Sequence, residues 1–232
     1  MVHTPKSETQ ILSVSNYEDF LSTSFRGEKN AICYQRKLTG DFAEIVHKVG
    51  LTGDMATLGQ DQLRDLQLSG KGQQAREVLL TDWQVLEAHG ASPILNLIRC
   101  YEKDESYPFF PTDVYSYHVD SSPLPVDTIL CTYHGDSSEI LPNAQATQKV
   151  LIPEIRNELR KLYDGPEEGF DSFLGEYFFD LHYQAQPHSQ PIRLGLGHLW
   201  RLAVAHPKSQ VPPCIHRAPI EQSGQIRLMM IC

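Results

Sequence analysis

The sequence predicts a mainly β domain with flanking helices. Three observations carry this. From residue 94 onward, short segments rich in β-branched and aromatic residues alternate with Pro, Gly, Asp and Ser turns. The first third instead shows apolar residues at three-to-four spacing. At 232 residues and 41% hydrophobic content, the chain can bury one substantial core, so a single domain over 1–232 is expected.

Taken in order, the region 1–92 reads as mainly helical and packed on the core. "NYEDFLSTS" reads as a helix that starts just after a cap, and "TGDFAEIVHKVG" opens with Thr39 or Asp41. The latter carries Phe42, Ile45, Val46 and Val49 on one face and stops at Gly50. Residues 72–89 continue the helical pattern to a glycine stop. The region 93–232 forms the β core through "ILNLIRCY", "DVYSYHVD", "DTILCTYH", "RLGLGHLWRLAVAH", "PPCIHRAP" and "QIRLMMIC". Helical spacing returns at about 142–183, with Asn143 as a cap, which reads as a helical insertion between strands. The weakest order is expected in roughly the first ten residues and in "QAQPHSQP".

Composition excludes several function classes. Twenty Lys and Arg against 29 Asp and Glu give a net charge of −9, so no basic stripe serves nucleic acid or an anionic membrane. The N-terminal "MVHTPKSETQ" has no apolar signal core and no stretch is long enough to span a bilayer. Five cysteines without a C-x-x-C spacing suit reduced thiols rather than a disulfide frame. A soluble, cytoplasmic protein with a small-molecule substrate is expected, with the oligomeric state open between monomer and homodimer.

The chemistry concentrates in "YSYHVDSS". Residues i and i+2 of a strand share a face, so His118 and Asp120 can grip one ion without bending the backbone. His216, in a short apolar strand near the C-terminus, can supply a third ligand. Two histidines and one carboxylate form the facial triad that holds non-haem Fe(II) and leaves positions open. Eleven residues beyond His216, past a turn containing Gly224, Arg227 can return beside the metal and clasp a carboxylate bidentately.

This order of His-x-Asp, late His and following Arg is similar to that of the Fe(II)- and 2-oxoglutarate-dependent oxygenases. Within them, "YHVDSSPLPVDTILCTYHGDSSEILP", "HRAP" and "RLMMI" resemble a bacterial family of unknown function. That family carries Phe-His-x-Asp, then Cys-Thr-Tyr-x-Gly, then a late His-Arg-Ser-Pro. The likeness covers about residues 94–232. Tyr117 stands for its Phe, "GDSSEI" for a more Gly-rich turn ending in Trp, and Ala218 for its Ser. The resemblance implies a double-stranded β-helix (jelly-roll, cupin-like) core, with His118, Asp120 and His216 as iron ligands and Arg227 on the far carboxylate of 2-oxoglutarate. It further implies O2 as co-substrate, release of succinate and CO2, and usually hydroxylation of a C–H bond.

Around that centre, Tyr115, Tyr117, Thr132, Tyr133, Trp200, Arg201 and Arg217 are candidates for the pocket rim. Strand phase sets Tyr115 and Tyr117 opposite His118 and favours Ser116, so Ser116 and Thr132 join Arg227 as cofactor-pocket residues. Cys131 and Cys214 flank the ligand strands, where a free thiol usually serves as a small core residue. A second His-x-Asp, His134 and Asp136, falls in a glycine-containing turn where an Asp more often satisfies its own backbone. His182, His188, His198 and His206 show no recognised zinc spacing. Two further readings stay open: a cupin-like non-haem metalloenzyme that does not use 2-oxoglutarate, and a non-catalytic jelly-roll binding module.

Overall fold

The computed structural model describes residues 10–220, 222 and 224–232, so the expectation of weak order in the first residues falls on positions 1–9, outside the described residues. Two β-sheets carry the fold. The first holds β1 (Ile11–Val14), β2 (Ala31–Tyr34), β3 (Met55–Leu58), β4 (Ile94–Ile98), β6 (Asp127–His134), β11 (Leu199–Ala203) and β13 (Arg227–Ile231). Their order across the sheet is β1-β2-β11-β6-β13-β4-β3. The second holds β5 (Tyr117–His118), β7 (Glu139–Ile140), β8 (Ala146–Gln148), β9 (His182–Ala185), β10 (Ile192–Arg193) and β12 (His216–Arg217), in the order β10-β7-β12-β5-β9-β8. Every pairing is antiparallel except β1 with β2.

Side-chain alternation sorts β6 into two faces. Ile129, Cys131 and Tyr133 join Leu95, Leu97, Leu228 and Met230 in a core beneath the N-terminal helices. Leu130 joins Trp200, Leu202, Ile140 and Cys214 in a second core between the two sheets. Thr132 shares the face of Leu130 and so points between the sheets as well. The outer face of the second sheet buries Tyr117, Val119, Leu141 and Ile215.

The helices are α1 (Tyr17–Ser22), α2 (Phe42–Val49), α3 (Gln60–Asp65), α4 (Gly70–Ala88), α5 (Pro153–Arg160) and α6 (Phe170–Glu176). Asn16 caps α1 by accepting from the Asp19 N–H, and Asp41 caps α2 by accepting from Glu44. Gly50 ends α2 at φ 64°, a conformation that disfavours other residues. On α4, Ala75, Leu79, Asp82, Trp83 and Leu86 fall on the buried face. No helix of the described residues is long and apolar enough to cross a membrane.

Two differences from the sequence reading stand out. The N-terminal region contributes β1, β2 and β3 beside its helices, each only four residues long and completed by strands distant in sequence. Asn143 caps no helix: its amide donates to the Pro213 carbonyl at 2.9 Å and its Oδ1 accepts from Asn30. Helix α5 instead starts with Pro153 at its first position, where the missing N–H costs nothing. The five cysteines are free thiols.

Candidate metal centre

Strand pairing builds the site. Strand β12 lies antiparallel beside β5 with His216 directly opposite His118, which sets the two imidazole centroids 4.6 Å apart. Asp120, two residues beyond His118, shares its face. Its Oδ1 lies 3.8 Å from His118 Nε2 and its Oδ2 3.6 Å from His216 Nε2. Two donors on one ion, each about 2.1 Å from it, can be separated by at most roughly 4.2 Å. Each imidazole meets that limit with one of the two carboxylate oxygens, and one donor atom from each of the three residues lies within 4.8 Å of the others, so a small closure would bring the set onto one ion. Among the described residues, this is the one such group of three or more His, Cys, Asp or Glu side chains.

The surroundings suit these atoms to a ligand role. His118 Nδ1 lies 2.8 Å from the Ser116 carbonyl, and His216 Nδ1 lies 3.2 Å from the Cys214 carbonyl. In each case the imidazole proton belongs on Nδ1, since a carbonyl can only accept, and Nε2 is left with its lone pair toward Asp120. Burial, and then the neighbouring His216, holds the His118 pKa below its ordinary value, which favours the neutral ring a cation requires. Thr128 donates its hydroxyl proton to Asp120 Oδ2. The Ala205 N–H donates to the Asp120 carbonyl at 2.8 Å, fixing the backbone behind the carboxylate.

Arg227 begins β13 and is buried. Its Nη2 donates across the inter-sheet space to Ser138 Oγ at 3.1 Å, and Ser138 lies two residues before Ile140, the register partner of His216. Gly135 makes this placement sterically feasible. It holds φ 83°, and a Cβ there would meet Arg227 Cα and Cγ at 3.0 Å. Gly135→Ala is therefore expected to cost about 1–3 kcal/mol in urea unfolding, from the left-handed backbone and the close approach together. An unchanged midpoint would show that the turn yields freely.

Thr132 is 1% exposed, and its Oγ1 has no hydrogen-bond partner. A buried hydroxyl left unpaired costs free energy, so this atom in the inter-sheet space suits a polar ligand. Ser116 contributes differently from expectation. Its carbonyl orients His118, while its hydroxyl accepts from Lys149 Nζ at 2.7 Å and faces a neighbouring cleft lined by Lys103, Tyr115 and Lys149.

Several rim candidates lie elsewhere, because alternation turns odd-numbered residues of these strands away from the inter-sheet space. Tyr133 donates to buried Asp82 at 2.6 Å under the helices. Arg201 donates to the Phe20 and Leu21 carbonyls at 2.7 and 2.6 Å, holding the end of α1, and reaches the triad only as part of a cleft that Asp120 also lines. On the outer face of the second sheet, Tyr117 donates to Glu139 at 2.5 Å, and Arg217 stacks 4.3 Å over its ring while pairing with the same carboxylate. Trp200 is buried between the sheets with Nε1 committed to the Leu194 carbonyl at 2.8 Å. Tyr115 accepts from the Tyr101 N–H at 2.7 Å. His134 stands outside the triad's group of donors, and burial, followed by His47, lowers its pKa. Cys131 lies in the helix-side core and Cys214 between the sheets.

One residue at the centre was missed. His182 begins β9 directly opposite His118, with the two rings 6.0 Å apart, and it is buried. Burial, followed by His118 and Lys149, pushes its pKa down to about 3. Only strand pairing could have revealed it, since 64 residues separate the partners. A cleft of about 340 Å³ is lined by His118, Asp120, Thr112, Asp113, Phe178 and His182 among others. A larger one of about 560 Å³ touches the triad through Asp120 alone, together with Thr128, Asp127 and Arg201. No family model matches the chain, and neither a curated protein nor a solved structure is found to match it.

Proposed function

We propose that the protein is an Fe(II)- and 2-oxoglutarate-dependent dioxygenase built on a double-stranded β-helix and acting on a small molecule. The observation that carries this is the β5–β12 register, which brings His118, Asp120 and His216 together as a two-histidine, one-carboxylate set. Strand order supports the fold assignment. From β4 to β7 successive strands alternate between the sheets, and from β10 to β13 they alternate again, as a wound jelly-roll requires.

In this reading His118, Asp120 and His216 hold the metal through Nε2, a carboxylate oxygen and Nε2. Arg227 receives the far carboxylate of 2-oxoglutarate, and the Thr132 hydroxyl donates to the same anion. The bound iron supplies the redox chemistry that couples 2-oxoglutarate, O2 and R–H to succinate, CO2 and R–OH. The chain contributes ligands, orientation and exclusion of water. Thr128 restrains Asp120, and the two backbone carbonyls keep both imidazoles from rotating.

Anaerobic titration with Fe(II) and 2-oxoglutarate tests the assignment. A weak visible charge-transfer band is expected in the anaerobic complex, and succinate release above a no-iron control once air is admitted; absence of both would overturn it. Arg227→Met should leave metal affinity unchanged. It should raise the 2-oxoglutarate concentration for half-maximal succinate release by about 10–100-fold, the equivalent of a charged hydrogen-bonded contact. Equal half-saturation in the variant would remove Arg227 from the co-substrate site and favour a metalloenzyme that does not use 2-oxoglutarate.

A further inference from the structure

Resting on the dioxygenase reading, we infer that His182 and Phe178 are the substrate-recognition residues of the cleft over His118 and Asp120, and that the substrate is a neutral molecule presenting a flat ring and a carbonyl oxygen. The cleft, about 340 Å³, falls in the range of small-molecule sites. Its wall and rim supply two features that the metal centre does not use.

The first is an imidazole without the anchoring seen in the ligands. His118 and His216 each commit Nδ1 to a carbonyl two residues upstream, whereas His182 Nδ1 is buried with no partner. A buried N–H lacking an acceptor costs more than an idle lone pair, so the proton of His182 belongs on Nε2. His182 also stands outside the group of donor atoms that converge within 4.8 Å. It therefore offers the cleft an N–H donor, which calls for an oxygen acceptor.

The second is Phe178. In the run Tyr177-Phe178-Phe179, the outer two rings stack 6.1 Å apart, and Phe179 is buried in the aromatic core of the insertion. Phe178 between them adopts φ 59° and ψ 15°, a left-handed conformation that a bulky side chain rarely holds, and the residue is 62% exposed and lines the cleft. Strain and apolar exposure both oppose folding, and their coincidence beside the metal ligands assigns the ring to a ligand.

Charge recognition is disfavoured on the same wall. Asp113 already accepts from the Tyr115 and Ser116 N–H groups at 3.0 and 3.3 Å through Oδ1, and from Asp104 at 3.3 Å through Oδ2. Lys149 is turned to Ser116 and to the Pro111 carbonyl. A neutral acceptor such as an amide carbonyl fits what remains.

Benzamide, a flat ring bearing one amide, is the probe. Saturation-transfer NMR on the full chain, with and without Co(II), should detect it, and Co(II) should broaden its signals. Phe178→Asn and His182→Leu should each weaken binding at least fivefold, while His182→Gln, which keeps a donor, should retain most of it. Phe178→Asn should melt no lower than the parent, because asparagine tolerates the left-handed conformation. His118→Ala should lose Co(II) and keep benzamide, so failure of the metal assignment reads separately from failure of this one. Absence of benzamide binding to the parent protein, or equal binding by Phe178→Asn and His182→Leu, would overturn the inference.

Discussion

His216→Ala is expected to lower Fe(II) or Co(II) affinity by about a hundredfold or more, with His118→Ala equivalent and the fold intact. Removing only an outer hydrogen-bond partner of a metal ligand typically costs 10–100-fold, and a deleted imidazole takes the coordinate bond as well. Thr128→Val, which deletes the hydroxyl donated to Asp120, belongs in that milder range. Thermal unfolding provides an independent readout. At about one hundred times its Kd, a bound metal adds about 2.7 kcal/mol to the native state, so Co(II) should raise the parent's Tm and leave that of His216→Ala unchanged. Equal metal uptake by parent and variant would dismiss the triad, however well the distances suit it.

The centre was legible because it obeys the simplest rule of strand geometry. His118 and Asp120 are two residues apart, and their common face follows from the pleat alone. The cap of α2 was equally local, as the bond that Asp41 accepts from the Glu44 N–H three residues on demonstrates. Apart from His216, what escaped was set by pairing between distant segments. Arg201 and Trp200 are adjacent in β11, and alternation guarantees that they face opposite ways. Only the position of β11 between β2 and β6 decides that Trp200 enters the inter-sheet core and Arg201 the end of α1. His182 fell to the same blindness, since its relation to His118 exists only in the register of β5 with β9. Phe178 was unreadable for a different reason: a left-handed backbone at a phenylalanine, between two rings that stack on each other, runs against the residue's own preference.

Asp82→Ala is expected to be the most destabilising single change outside the site. Asp82 is fully buried on α4, where the helical face otherwise presents alanine, leucine and tryptophan. It accepts from Arg36 through both oxygens, and from Tyr17 and Tyr133. Arg36 also donates to the Gly197 carbonyl at 2.7 Å. This network ties α1, α4, β6 and the approaches to β2 and β11 to one carboxylate. Burial above all holds the phenols of Tyr17 and Tyr133 well above their usual pKa, so both remain donors. Burial alone would lower the Arg36 pKa, but the hydrogen bonds and charge of Asp82 outweigh it and raise it. Truncating Asp82 strands that guanidinium without its counter-charge, a loss of about 3–5 kcal/mol. In a domain of this size the corresponding fall in Tm is roughly 10 °C. Arg36→Met combined with Asp82→Leu should recover most of the loss, because two apolar side chains escape the cost of desolvating the pair. Additive losses in that double variant would show instead that Arg36 and Asp82 act independently. Co(II) affinity should stay within about threefold of the parent throughout, since the network lies on the opposite face of the first sheet from the triad.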